Sequence, residues 1–116
     1  MFVVDDDWSI RTSMNRLLRG YGFDATLFES AGDLLRHGNF DTAICIVLDI
    51  DLDGISGIDV RRMLTEQGVT APVIYITGND SPANRAAALG SGCLAYLPKP
   101  FTAESLIGSI ERAGIS

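Results

Sequence analysis

The stretch AICIVLDIDLDGISG, Ala43 to Gly57, decides how the rest of the chain is read. Its first half is a continuous β-rich apolar run, the pattern of a parallel strand whose sheet is covered by helices on both faces. Its second half sets Asp49, Asp51 and Asp53 at alternate positions ahead of Gly54 and Gly57. A buried strand ending in carboxylates places them at the sheet edge where open α/β sheets bind ligands.

Strand-like and helix-like pieces alternate in both directions from that run. FVVDD, from Phe2, reads as a buried strand; Ile10, Met14, Leu17 and Leu18 then recur on one helical face until GYG stops the helix. ATLF is the second strand, and Ser30 caps a short helix through AGDLLRHG. Beyond the central run, IDVRRMLTEQG is a third helix, APVIYIT the fourth strand, PANRAAALG the fourth helix and CLAYL the fifth strand. TAESLIGSIERAG closes the pattern as a helix with Thr102 and Glu104 near its start. Five strands alternating with five helices predict an α/β, flavodoxin-like (βα)5 fold. Its doubly wound five-stranded parallel sheet has the order 2-1-3-4-5, with helices on both faces. The expectation is a single domain over residues 1–116.

Composition narrows the function classes. With 116 residues, 47% of them hydrophobic and 21% charged, the chain suits one modest core. Its apolar runs are far shorter than the roughly 20 residues of a membrane span, and a strand begins at Phe2 with no basic segment before it. The reading is a cytoplasmic protein without a membrane partner. A formal charge of −6 argues against direct nucleic-acid contact, which calls for a basic patch. Six of the 15 acidic residues fall in two clusters, Asp5 to Asp7 and Asp49, Asp51 and Asp53. Clustered carboxylates repel one another, and a bound cation relieves that repulsion. Cys45 and Cys93 sit in apolar runs without metal-ligand spacing, and His37 stands at a helix end beside Gly38; all three read as structural.

In the expected strand order, Asp5 and Asp6 end the first strand, Asp49 the third and Thr77 the fourth, and Lys99 follows the fifth. Acids, hydroxyl and ammonium collect at one edge, a set suited to phosphoryl chemistry around a shared cation. Three readings of the aspartates compete. Asp49, Asp51, Asp53 and Gly54 match positions one, three, five and six of an EF-hand calcium loop, but the twelfth position is Val60 and a strand precedes Asp49. An apolar strand followed by Asp-x-Asp also resembles the nucleophile motif of haloacid-dehalogenase-like phosphatases. Asp49 would then be the nucleophile and Asp51 the acid/base, or Asp51 and Asp53 in the other frame. That motif usually opens a longer chain, and no paired acids follow the fourth or fifth strand.

The third reading uses every feature. VVDDD, IVLD, VIYITG and LPKPF, in this order from Phe2 to about Ala113, resemble the receiver domain of two-component response regulators. ITG and KPF are closest to receivers that precede a helix-turn-helix output domain. The resemblance implies that Asp49 accepts a phosphoryl group from a sensor histidine kinase or a small donor such as acetyl phosphate. Mg2+ would be held directly by Asp6 and Asp49, directly or through water by Asp5, and by the backbone carbonyl of Asp51. Lys99 would pair with Asp49 or the phosphoryl oxygens, with Lys99-Pro100 cis, and Thr77 would donate its hydroxyl to the phosphate. Tyr96 would follow Thr77 inward, remodelling the face of the fourth helix, fifth strand and fifth helix for an output domain or partner, transcriptional in kind, or for a phosphorylation-dependent homodimer. Such a domain is a switch rather than an enzyme: it assists its own phosphorylation and dephosphorylation and turns over no independent substrate. A haloacid-dehalogenase-like phosphatase is the alternative.

Several residues also carry plainer readings. Tyr96 suits a half-buried packing role beside Leu94 and Leu97, Thr77 a strand end, and Asp7 a helix cap. Trp8 would cover apolar surface beside the acids and report on metal by fluorescence. Kinases of the family dock on the first helix, here at the positions of Arg11, Asn15 and Arg19, read as exposed. The chain departs from the family pattern where Asp53 replaces a common Pro and Asp51 a neutral or basic residue. The expected results are a looser turn and a slower or more magnesium-dependent phosphorylation, with Asp51 and Asn79 tuning the phosphoryl lifetime.

Overall fold

A computed structural model describes residues 1–41 and 43–114. The five strands of the main sheet, β1 (Phe2–Val4), β2 (Thr26–Phe28), β3 (Ile46–Asp49), β4 (Val73–Thr77) and β5 (Ala95–Pro98), alternate with five helices. These are α1 (Trp8–Gly20), α2 (Ala31–His37), α3 (Gly57–Glu66), α4 (Pro82–Gly90) and α5 (Ala103–Arg112). The strands form one parallel sheet in the order β2-β1-β3-β4-β5, as the alternation predicts.

Side chains of successive strand residues point to opposite faces, which divides the core in two. Phe2, Val4, Ile46, Leu48, Val73 and Tyr75 pack on one face with Leu34 of α2, Val60 and Leu64 of α3 and Ala88 of α4. Val3, Val47, Ile74 and Ile76 pack on the other with Met14 and Leu18 of α1 and Leu106, Ile107 and Ile110 of α5. Burial on both faces is why the central run lacks polar alternation.

Local chemistry sets the helix ends. Asp7, Ser30, Ser56, Ser81 and Thr102 each cap a helix by accepting an amide of its first turn. For α5 the reciprocal partner of Thr102 is Ser105, one position beyond Glu104. The central strand begins at Ile46 rather than Ala43, because Ile44 turns to solvent while Cys45 remains buried. Burial pushes the Cys45 thiol up to about 12, in keeping with an inert core role. His37 lies in the last turn of α2, its ring edge-on to Phe2 and Phe28.

Candidate functional site

The register of the sheet assembles the site. Val4 of β1 stands opposite Leu48 of β3, so Asp5 and Asp49 follow one step later at the same edge. Both carboxylates are buried, while Asp6 is exposed beside them. Asp5, Asp6 and Asp49 each present an oxygen within 4.8 Å of the others. Three carboxylate oxygens and no His or Cys ligand form a hard donor set, which suits Mg2+. The fifth strand brings in the counter-charge. Lys99 donates its main-chain N–H to the Thr77 carbonyl at 2.7 Å, which aims its side chain back along the edge. Its Nζ donates to Asp5 Oδ2 and Asp49 Oδ2, both at 2.9 Å. The Lys99-Pro100 peptide bond is cis.

The same edge holds the buried hydroxyl of Thr77, which donates to Asp51 Oδ2 at 3.1 Å and accepts the Asn79 N–H at 2.9 Å. The other Asp49 oxygen, Oδ1, accepts the Asp51 N–H at 2.9 Å. Burial pushes the Asp49 carboxyl up to about 6, even though hydrogen bonds from Lys99 and the Asp51 amide pull it down. Its negative charge is thus under-solvated in the fold, a condition that a bound cation would relieve. Burial works against the Lys99 ammonium, but its bonds to Asp5 and Asp49 outweigh it and hold its pKa above the ordinary value.

With that geometry in hand, similarity to known proteins is specific. The family model of the response regulator receiver domain matches residues 1–111. The chain belongs to the response regulator receiver family. Nodulation protein W of Bradyrhizobium diazoefficiens is 34% identical over 113 residues, 97% of this chain and 50% of that protein. Transcriptional regulatory protein TdiR of Thauera aromatica is 33% identical, with the same 97% and 50% coverage. The solved response regulator StyR superposes with a TM-score of 0.87 at 36% identity, covering 96% of this chain and 56% of that one. The receiver thus spans about half the length of these relatives. The family match favours the signalling switch over the phosphatase reading.

The receiver brings Asp5, Asp6, Asp49, Thr77 and Lys99 together, as their sequence positions suggest. Asp51 arrives differently: its side chain lies on Thr77, outside the group of three acids. The turn that lacks Pro is closed by a short antiparallel hairpin, Asp51–Leu52 against Ile55–Ser56, with Gly54 at φ 78° supplying the left-handed turn residue. Asp53 is exposed at its tip. Tyr96 is half-buried; its hydroxyl donates to Asp80 Oδ1 at 2.9 Å, and the Arg85 guanidinium lies 4.7 Å from its ring centre while bonding Asp80 at 3.2 Å.

Other expectations need correction. Trp8 is 70% exposed at the first position of α1, so most of its side chain faces solvent rather than covering apolar surface. Arg11 and Asn15 are half-buried rather than exposed, since Arg11 donates to the Asp5 carbonyl at 2.7 Å and Asn15 accepts from Arg19 at 2.9 Å. The sequence reading missed Gly57. It begins α3 against the end of the strand that carries Asp49, donating to the Ile50 carbonyl at 2.8 Å, and its missing side chain is the only signal.

Proposed function

We propose that this receiver accepts a phosphoryl group on Asp49 from the phosphohistidine of a sensor histidine kinase, or from acetyl phosphate, and relays that state to an output element. The observation that carries this is the buried Asp49 carboxylate, held beside Asp5 and Asp6 and bonded by Lys99. In the transfer, an Asp49 oxygen attacks phosphorus as the P–N bond breaks, and the imidazole leaves with the electron pair. Lys99 offsets charge on the acceptor and the arriving phosphoryl oxygens. Asp5, Asp6, Asp49 and the Asp51 main-chain carbonyl would hold Mg2+, which would supply the charge neutralisation that a carboxylate needs to approach an anionic phosphorus.

Thr77 then donates to the phosphoryl group, and Tyr96 leaves Asp80 and Arg85 to follow it, remodelling the surface of α4, β5 and α5. The receiver is a cytoplasmic switch that turns over no independent substrate. The name of TdiR and its twofold length favour a transcriptional output domain as the reader; a phosphorylation-dependent homodimer is a second mode. Phosphorylation in the presence of Mg2+ is expected to shift the Tyr96 ring resonances in the NMR spectrum. An unchanged Tyr96 in fully phosphorylated protein would contradict the switch, and steady phosphate release from p-nitrophenyl phosphate would restore the phosphatase alternative.

A further inference from the structure

Asp51 is an exposed residue of the hairpin, yet its carboxylate reaches the buried Thr77 hydroxyl at 3.1 Å. The contact spans 26 residues of sequence and joins the acceptor loop to the end of β4. A hydroxyl has one proton to give. In the resting receiver that proton is committed to Asp51, while the oxygen already accepts the Asn79 N–H at 2.9 Å. Donation to a phosphoryl oxygen and donation to Asp51 are therefore mutually exclusive. We propose that Asp51 is a positioning residue that competes with the phosphoryl group for Thr77, so that switching is an exchange of one anionic acceptor for another.

Two further features fit the exchange. The Asp51 main chain is fixed by its N–H bond to Asp49 Oδ1 at 2.9 Å and by pairing with Ser56, so its carboxylate is delivered beside the acceptor without being part of it. Its side chain is also free to turn into solvent once negative charge arrives on Asp49, because Asp51 is exposed. The phosphoryl group thus captures the hydroxyl and repels its former partner at the same time. The carboxylate accordingly restrains the switch in the resting state, an effect additional to any influence of its charge on phosphate approach.

This inference rests on the receiver reading, and beryllofluoride with Mg2+, a mimic of the phosphoryl group, tests both. Its affinity is measured for the parent chain, Asp51→Ala and Asp51→Asn, each with Thr77 and with Thr77→Val. Both substitutions at 51 remove the charge, but only Ala also removes the acceptor for Thr77. With Thr77 present, Asp51→Ala is expected to bind more tightly than Asp51→Asn, on the order of two- to tenfold, the span of one net hydrogen bond. With Thr77→Val, the two should bind alike. The Thr77 methyl resonance of ligand-free Asp51→Ala should also move, and that of Asp51→Asn should stay near the parent position. Equal affinities for Ala and Asn in the presence of Thr77 would overturn the competition while leaving the receiver reading intact. A parent chain that binds no beryllofluoride would overturn the receiver reading itself, and the competition with it.

Discussion

Replacing Gly57 by Ala is expected to cost the fold about 3 kcal/mol and to lower its melting temperature by roughly 10 °C. A Cβ at this position would lie 2.3 Å from the Asp49 carbonyl oxygen, 3.0 Å from its carbon and 3.2 Å from the Ile50 Cα. All three are backbone atoms of the acceptor segment, so no side chain can swing aside. Either α3 moves off the sheet, losing the Gly57 bond to Ile50 and disturbing the Val60 and Leu64 packing, or Asp49 is pushed out of place. Phosphoryl uptake should fall together with stability. Gly20→Ala is the control: nothing lies within 4 Å of its added carbon, and its stability should change by less than about 1 kcal/mol. Thermal unfolding of the two variants decides the point, and a Gly57→Ala protein as stable as the parent would show that α3 does not pin the acceptor.

Lys99→Met carries the second large effect. Removing the ammonium leaves Asp5 and Asp49 facing each other below the surface with their shared donor gone. Burial already pushes the Asp49 carboxyl up to about 6 while Lys99 is among the groups holding it down, so losing Lys99 should raise it further. The sign for stability follows from linkage. A folded carboxyl above its unfolded value of 3.8 holds its proton where the unfolded chain has released it. Its contribution to stability is thus present below about pH 4 and lost as the pH rises through the folded value. In the variant that loss is larger and extends to higher pH. Without metal, the variant should be less stable at neutral pH by about 3 kcal/mol, the cost of stripping one partner from a buried ion pair, and Mg2+ should recover part of it. Phosphoryl uptake should fall about a hundredfold, as when a fixed electrostatic donor is lost from a reacting site. Carbon-13 NMR of the Asp49 carboxyl follows the titration; an unshifted Asp49 would show that Lys99 does not set its charge.

Much of this site is legible in the sequence because the fold is periodic. A run buried on both faces has to be a parallel strand under two helical layers, and that topology delivers Asp5, Asp49, Thr77 and Lys99 to one edge without knowledge of any contact. What is not legible depends on side-chain direction between distant segments. The capture of Thr77 by Asp51 and the hold of Asp80 and Arg85 on Tyr96 join residues of unlike spacing, and no local pattern marks them. Gly57 is invisible for the opposite reason: its role is to have no side chain where backbone meets backbone. β3 and β5 start at Ile46 and Ala95, later than the apolar runs that open at Ala43 and Cys93, because apolar residues extend beyond the ladder pairing.

Asp49 as phosphoryl acceptor is tested most directly by the intact mass of the protein after incubation with acetyl phosphate and Mg2+, measured in parallel for wild type and Asp49→Asn. One added phosphoryl group is expected on wild type and none on the variant. An adduct that persists in Asp49→Asn, or a folded, magnesium-binding wild type that never acquires one, would contradict Asp49 as the acceptor.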